Sequence, residues 1–150
     1  MTSASSPNSR RQGGVALLEA LIAILIFSIG ILAVVGMQAT AIKAVSDSKY
    51  RGDAAFLANQ LLSQMWTDAG NVGSYAYAGT GTPPARLTNW VADVNTRLPG
   101  TSTAQPVVTV SGATINGATV QITVFWQLPE EASQGLPARN YTLIASVFTN

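Results

Sequence analysis

Residues 14–37 read GVALLEALIAILIFSIGILAVVGM, and from Val15 to Met37 the only charged residue is Glu19. At ~1.5 Å per residue, a helix over Val15 to Met37 is roughly 35 Å long. That is enough to cross a hydrocarbon core of about 30 Å. Arg10 and Arg11 stand just before this run. By the positive-inside rule they hold the N-terminus in the cytoplasm, and the rest of the chain faces the other side. The run also explains the bulk composition, which is 47% hydrophobic and only 10% charged. Soluble domains carry about 25% charge.

Three readings fit an apolar run near an N-terminus. It can be a plain signal anchor. It can be a removable secretory signal, because Ala39-Thr40-Ala41 forms an A-x-A cleavage pattern behind it. Or it can be the helix of a processed, assembling subunit. Glu19 separates them. A carboxylate at the centre of a membrane helix costs about 2.5–3.5 kcal/mol on insertion scales. Near the helix start the cost is lower, because the first turn favours negative charge. An ionisable group kept in such a place points to a task for it.

The segment Gly14-Val15-Ala16-Leu17-Leu18-Glu19, followed by the long apolar run, resembles the class III signal of type IV prepilins. The resemblance implies that prepilin peptidase cuts between Gly14 and Val15, which makes Glu19 the fifth mature residue. Gly13 does not compete, since a cut after it would make Glu19 the sixth. The resemblance also implies N-methylation of the new Val15 amine and an assembly role for the Glu19 carboxylate. Two features depart from the common pattern. The first mature residue is Val rather than Phe, and the leader is long. Elementary chemistry supports both key residues. Glycine lacks a Cβ, so its backbone can lie extended in a narrow protease cleft. A carboxylate one helical turn from a new amine can pair with the amine of a neighbouring subunit, and a buried charge left unpaired is expensive.

Four segments follow from this reading: a cleaved cytoplasmic leader over 1–14, a transmembrane and polymerisation helix over 15–37, an amphipathic continuation over 38–68 and a globular head over 69–150. In the continuation, Ile42, Val45, Ala54, Leu57, Ala58, Leu61 and Met65 recur mostly at three- and four-residue steps, one face of a helix set aside for a core. Gly30, Gly36 and Gly52 are places where the helix could bend. The Gly- and Pro-rich stretch 69–88 reads as a loop, with Tyr75 and Tyr77 packing on the domain. Asn89 is positioned to cap a short helix holding Trp90, Val91, Val94 and Leu98, which Pro99-Gly100 ends. Val107 to Ser111 reads as a strand. Asn116-Gly117 is a hairpin turn. Val120, Ile122, Val124 and Trp126 then alternate with Thr119, Gln121, Thr123 and Phe125 in a second strand that Pro129 ends, and Tyr141 to Phe148 gives a third. The expected fold is α+β and type IV pilin-like: one long N-terminal helix packed on a small antiparallel sheet of three or four strands. Leu57-Ala58 with Leu61-Leu62, the Trp90 helix and the run from Val120 to Trp126 are similar to the PilV-type minor pilins.

With no Cys, residues 127–140 must be held by packing alone. There is no His either, which removes the commonest general base and metal ligand. Asp68, Asp93, Glu130 and Glu131 are not spaced as a catalytic pair or a calcium loop, so solvation is their expected role. The expectation is a non-enzymatic subunit with no cofactor and no metal. Nor does any basic face form, so nucleic acid is not an expected partner. The resemblance implies prepilin peptidase, other minor pilins, the major pilin, a tip adhesin and the inner membrane as partners. It places the chain as a single-pass inner-membrane protein with a periplasmic head, and later in the pilus at the cell surface. The alternatives are a type II secretion minor pseudopilin and, less favoured, a secreted periplasmic binding domain cut after Ala41.

Overall fold

The computed structural model describes residues 12–114 and 117–148, with side chains from residue 14 onward. Most of the expected leader and Asn116 of the expected turn therefore lie outside the described residues. The chain forms two compact parts, one ending at Val45 and the other beginning at Ser46.

Helix α1 runs unbroken over Gln12–Thr67. No proline falls between Pro7 and Pro83, so nothing removes a backbone donor along its length. Neither Gly30, Gly36 nor Gly52 interrupts it. Its polar side chains are absorbed by the helix itself. The Ser28 hydroxyl donates to the Ile24 carbonyl at 2.7 Å, and Thr40 does the same to Gly36 at 3.3 Å. A hydroxyl bonded in this way travels with the helix into an apolar medium without a bare donor.

From Ser46 onward, α1 carries the core of the second part. Ala54, Leu57, Ala58, Leu61, Leu62 and Met65 are buried. They meet Val120, Ile122, Val124 and Trp126 of the sheet. Ile42 and Val45 continue the same sequence stripe but are 66% and 70% exposed. They are not core residues, because the stripe begins before the residues that have a core to cover.

The region 69–88 holds more than a loop. A kinked 3-10 helix spans Ala69–Tyr75, and Tyr77 forms an antiparallel bridge with Val108. Tyr75 and Tyr77 are both buried, as their packing role requires. Helix α2 covers Thr88–Arg97. Asn89 lies inside its first turn, and Leu87 holds the cap position with no side-chain bond. Leu87 is fully buried, so packing rather than capping chemistry fixes where this helix begins. The Trp90 Nε1 donates to the Leu57 carbonyl at 2.9 Å in the buried interior, which ties α2 to α1.

Three strands, β1 (Val107–Thr114), β2 (Gly117–Trp126) and β3 (Arg139–Phe148), form an antiparallel sheet in the order β1-β2-β3. The β2–β3 register is unbroken from Gly117 opposite Phe148 to Trp126 opposite Arg139. The β1–β2 register slips between Ser111 and Thr114. Gly117 has φ 138°, and a Cβ there would stand 2.3 Å from the Val147 carbonyl oxygen. Only glycine fits where β3 comes this close. Pro129 does not merely stop β2. It opens a short helix, α3, over Pro129–Ser133, a position where its missing N–H costs nothing. The fold is α+β: a long N-terminal helix packed on a small antiparallel sheet.

Candidate processing and assembly site

Gly14, Val15 and Glu19 all lie in the first turns of α1, on exposed backbone. Val15 and Glu19 are four residues apart, so they share one face of the helix. A Cβ built on Gly14 meets nothing within 4 Å. The fold itself therefore does not require glycine there. Among the described residues, the Glu19 carboxylate has no hydrogen-bond or ion-pair partner. From Gly14 to Val45 every side chain is exposed, the large apolar ones included. A helix this apolar on all sides needs a non-aqueous environment or neighbours.

Gly14 sits two residues from the first described helical residue, Gln12, whereas Ala41 is deep inside α1. Helix ends fray readily and helix interiors do not. A cut after Ala41 would need the interior of α1 to unwind.

Two of the four carboxylates singled out in the sequence, Asp68 and Glu131, sit in polar clusters. Asp68 accepts from Asn71 Nδ2 at 2.7 Å and from the Tyr75 hydroxyl at 3.0 Å, and it pairs with Arg86. The Asn71 bond, with help from Tyr75 and Arg86, holds the Asp68 carboxyl below its ordinary value. Burial, and the bond to Asp68, push the Tyr75 phenol up. The Arg86 guanidinium also lies 5.8 Å from the centre of the Tyr75 ring. This cluster fastens the end of α1 to the 3-10 turn and to the approach to α2.

Glu131 Oε1 accepts from Arg139 Nη2 at 2.5 Å, and Arg139 Nη1 pairs with Asp47 Oδ1 of α1 at 2.5 Å. These bonds, that to Glu131 first, raise the Arg139 guanidinium further above its ordinary range. Gln127 adds two more links: its Nε2 donates to the Leu136 carbonyl at 2.6 Å and its backbone N–H to the Pro99 carbonyl at 2.9 Å. Residues 127–140 are therefore not held by packing alone. An ion-paired clasp and a hydrogen-bonded turn hold them as well. Asp68 and Glu131 correspondingly have structural partners rather than a purely solvated role. Sequence reasoning missed both clusters. The acid-rich start of α3 with Arg139 downstream was the one available signal.

Residues 9–35 match the family described as the prokaryotic N-terminal methylation motif. The match spans Gly14, Val15 and Glu19 and nearly all of the apolar run, to Val35. No curated protein matches the chain, and no solved structure does. The chain thus carries a type IV pilin-like architecture, in which an N-terminal methylation motif opens a long apolar helix that ends against a small antiparallel sheet.

Proposed function

We propose that this chain is the precursor of a minor type IV pilin of the PilV type, an inner-membrane subunit with a periplasmic head that joins the complex initiating the pilus. Prepilin peptidase would cut after Gly14, and the new Val15 amine would be methylated. The observation that carries this reading is a pair of residues without partners among the described residues. Gly14 meets no steric demand and Glu19 has no partner among the described residues. Both stand in a matched methylation motif at the base of an uncovered apolar helix. Residues of this kind have their use outside the chain: the glycine in a peptidase cleft, the carboxylate opposite the charged amine of an adjoining subunit. No catalytic role is proposed for the head, and its partners are the other minor pilins and the major pilin.

The pairing sets the test. An exposed ion pair contributes only ~0–1 kcal/mol, but stranding one charge in a dry bundle costs about 3–5 kcal/mol. Glu19→Ala should leave insertion and cleavage intact, since the span becomes more apolar and Gly14 is unchanged. Incorporation should fail. The readout is the amount of this subunit in sheared fibres relative to the inner membrane. A ratio equal to that of the parent, with normal pilus numbers, removes Glu19 from assembly.

A further inference from the structure

The connection between β2 and β3, residues 127–138, is attached differently from the other long connections. The stretch after α1 is pinned by buried Val72, Tyr75, Tyr77 and Leu87, and the stretch after α2 by buried Leu98 and Pro106. No residue of 127–138 is buried. None of its apolar side chains joins the core, and Leu136 is 47% exposed. Burial of apolar area is the main force that fastens a segment to a domain, and this segment contributes nothing to the buried core.

Its hydrogen bonds close on the segment itself. The Ala132 N–H donates to the Leu128 carbonyl at 3.0 Å, the Gly135 N–H to the Ala132 carbonyl at 3.1 Å and the Leu136 N–H to the Glu131 carbonyl at 3.0 Å. Gln127 Nε2 closes the loop on the Leu136 carbonyl. A segment bonded internally in this way can open as one body. Its link to α1 is made of charge. Glu131 holds Arg139, and Arg139 holds Asp47, whose Oδ1 is sealed from solvent in this arrangement. Arg139 is the first residue of β3 and stands opposite Trp126 in an unbroken register, so its backbone belongs to the sheet. Its side chain is 43% exposed, which leaves the guanidinium open to ions from solution.

We propose that residues 127–138 form a charge-latched strap that opens as a unit while the sheet stays packed, with Arg139 as the latch. Opening gives up the pairs that Arg139 makes and leaves the core as it is. Exposed ion pairs contribute little and weaken as salt rises. An anion that competes for the Arg139 guanidinium therefore shifts the strap without touching the core. Docking of the strap is then an equilibrium separate from folding, set by the ions around Arg139. This inference does not use the prepilin reading, and processing at Gly14 is measured separately from it.

The test is residue-by-residue amide hydrogen exchange of the full-length chain in micelles of an uncharged detergent. It is run in sodium chloride at about 10 mM and about 1 M, between which the screening length falls from about 30 Å to about 3 Å. The Ala132, Gly135 and Leu136 amides report on the strap, and those of Val120, Ile122 and Val124 report on the central strand. A charge latch predicts slow strap exchange at low salt that quickens about tenfold or more at high salt, with the β2 amides unmoved. In Arg139→Met the strap amides should exchange fast in both salts, so that the salt response is gone. Leu136→Ala, which trims an exposed apolar side chain, should behave as the parent. Strap exchange that is fast already at low salt, that ignores salt, or that rises only together with β2 would each overturn the proposal. So would a salt response that survives in Arg139→Met, or a strap opened by Leu136→Ala. The salt series on the parent decides alone if Arg139→Met does not fold.

Discussion

Glu19 is the only charged residue between Arg11 and Lys43, and a sequence reader finds it for that reason alone. Gly14 was legible only through its spacing to Glu19. The structure adds that, among the described residues, neither has a steric or hydrogen-bonding partner. A Cβ branch would clash in a tight protease cleft, so Gly14→Val should leave the unprocessed precursor in the membrane. Gly14→Ala should slow cleavage, and mature-sized protein from the Val variant would contradict the role. Asp68 was not legible as a hub. Its partners Asn71, Tyr75 and Arg86 come from a Gly- and Pro-rich stretch with no periodicity to announce them. Its carboxyl lies below the ordinary value of 3.8 in the folded chain. Ionised Asp68 therefore supports the fold above that value, and the support fades as pH falls through the lower, folded one. Asp68→Asn should lower the melting temperature at neutral pH, and the gap to the parent should close in acid. A gap that stays constant down to low pH would remove Asp68 from the account.

At the scale of elements, two kinds of pattern behaved differently. Alternation over β2 was legible because every second residue, Val120 to Trp126, is buried, and period two admits one arrangement. The stripe on α1 fixed a face but not its extent, so Ile42 and Val45 were read as core. Periodicity tells which side of a helix is apolar and not what lies against it. Leu61 and Trp126 are buried where α1 meets the sheet, and the Trp126 Nε1 has no protein partner among the described residues. Leu61→Ala should cost ~2–5 kcal/mol and Trp126→Ala ~3–5 kcal/mol in urea unfolding of the head. Unfolding curves superimposable on the parent's would dissolve the proposed core. The clasp was hidden because Asp47 is far in sequence from Glu131 and Arg139. Arg139 is partly exposed, so Arg139→Met should change global stability little. Amide exchange over 127–138 should rise sharply, because the loop loses its link to α1. Unchanged exchange there would mean the turn around Gln127 suffices.

For the molecule as a whole, the division at Val45 and Ser46 separates a stretch whose described side chains are all exposed from a part with a buried core. Residues 46–150 should accordingly express as a soluble domain with a mixed helix and strand signal. An N-terminal apolar helix, a methylation motif and a pilin-like sheet were all within reach of the sequence, because each is written in local chemistry. The strap over 127–138 was not, since its latch joins α1 to the start of β3 and exists only once the two have met. The central claim, that this chain is processed between Gly14 and Val15 before it assembles, is tested most directly by the intact mass and N-terminal sequence of the protein purified from membranes and sheared fibres. A mature chain that begins at Val15 with a methylated amine is the predicted result. A chain that retains Met1–Gly14 throughout, or one that begins at Ile42, would contradict it.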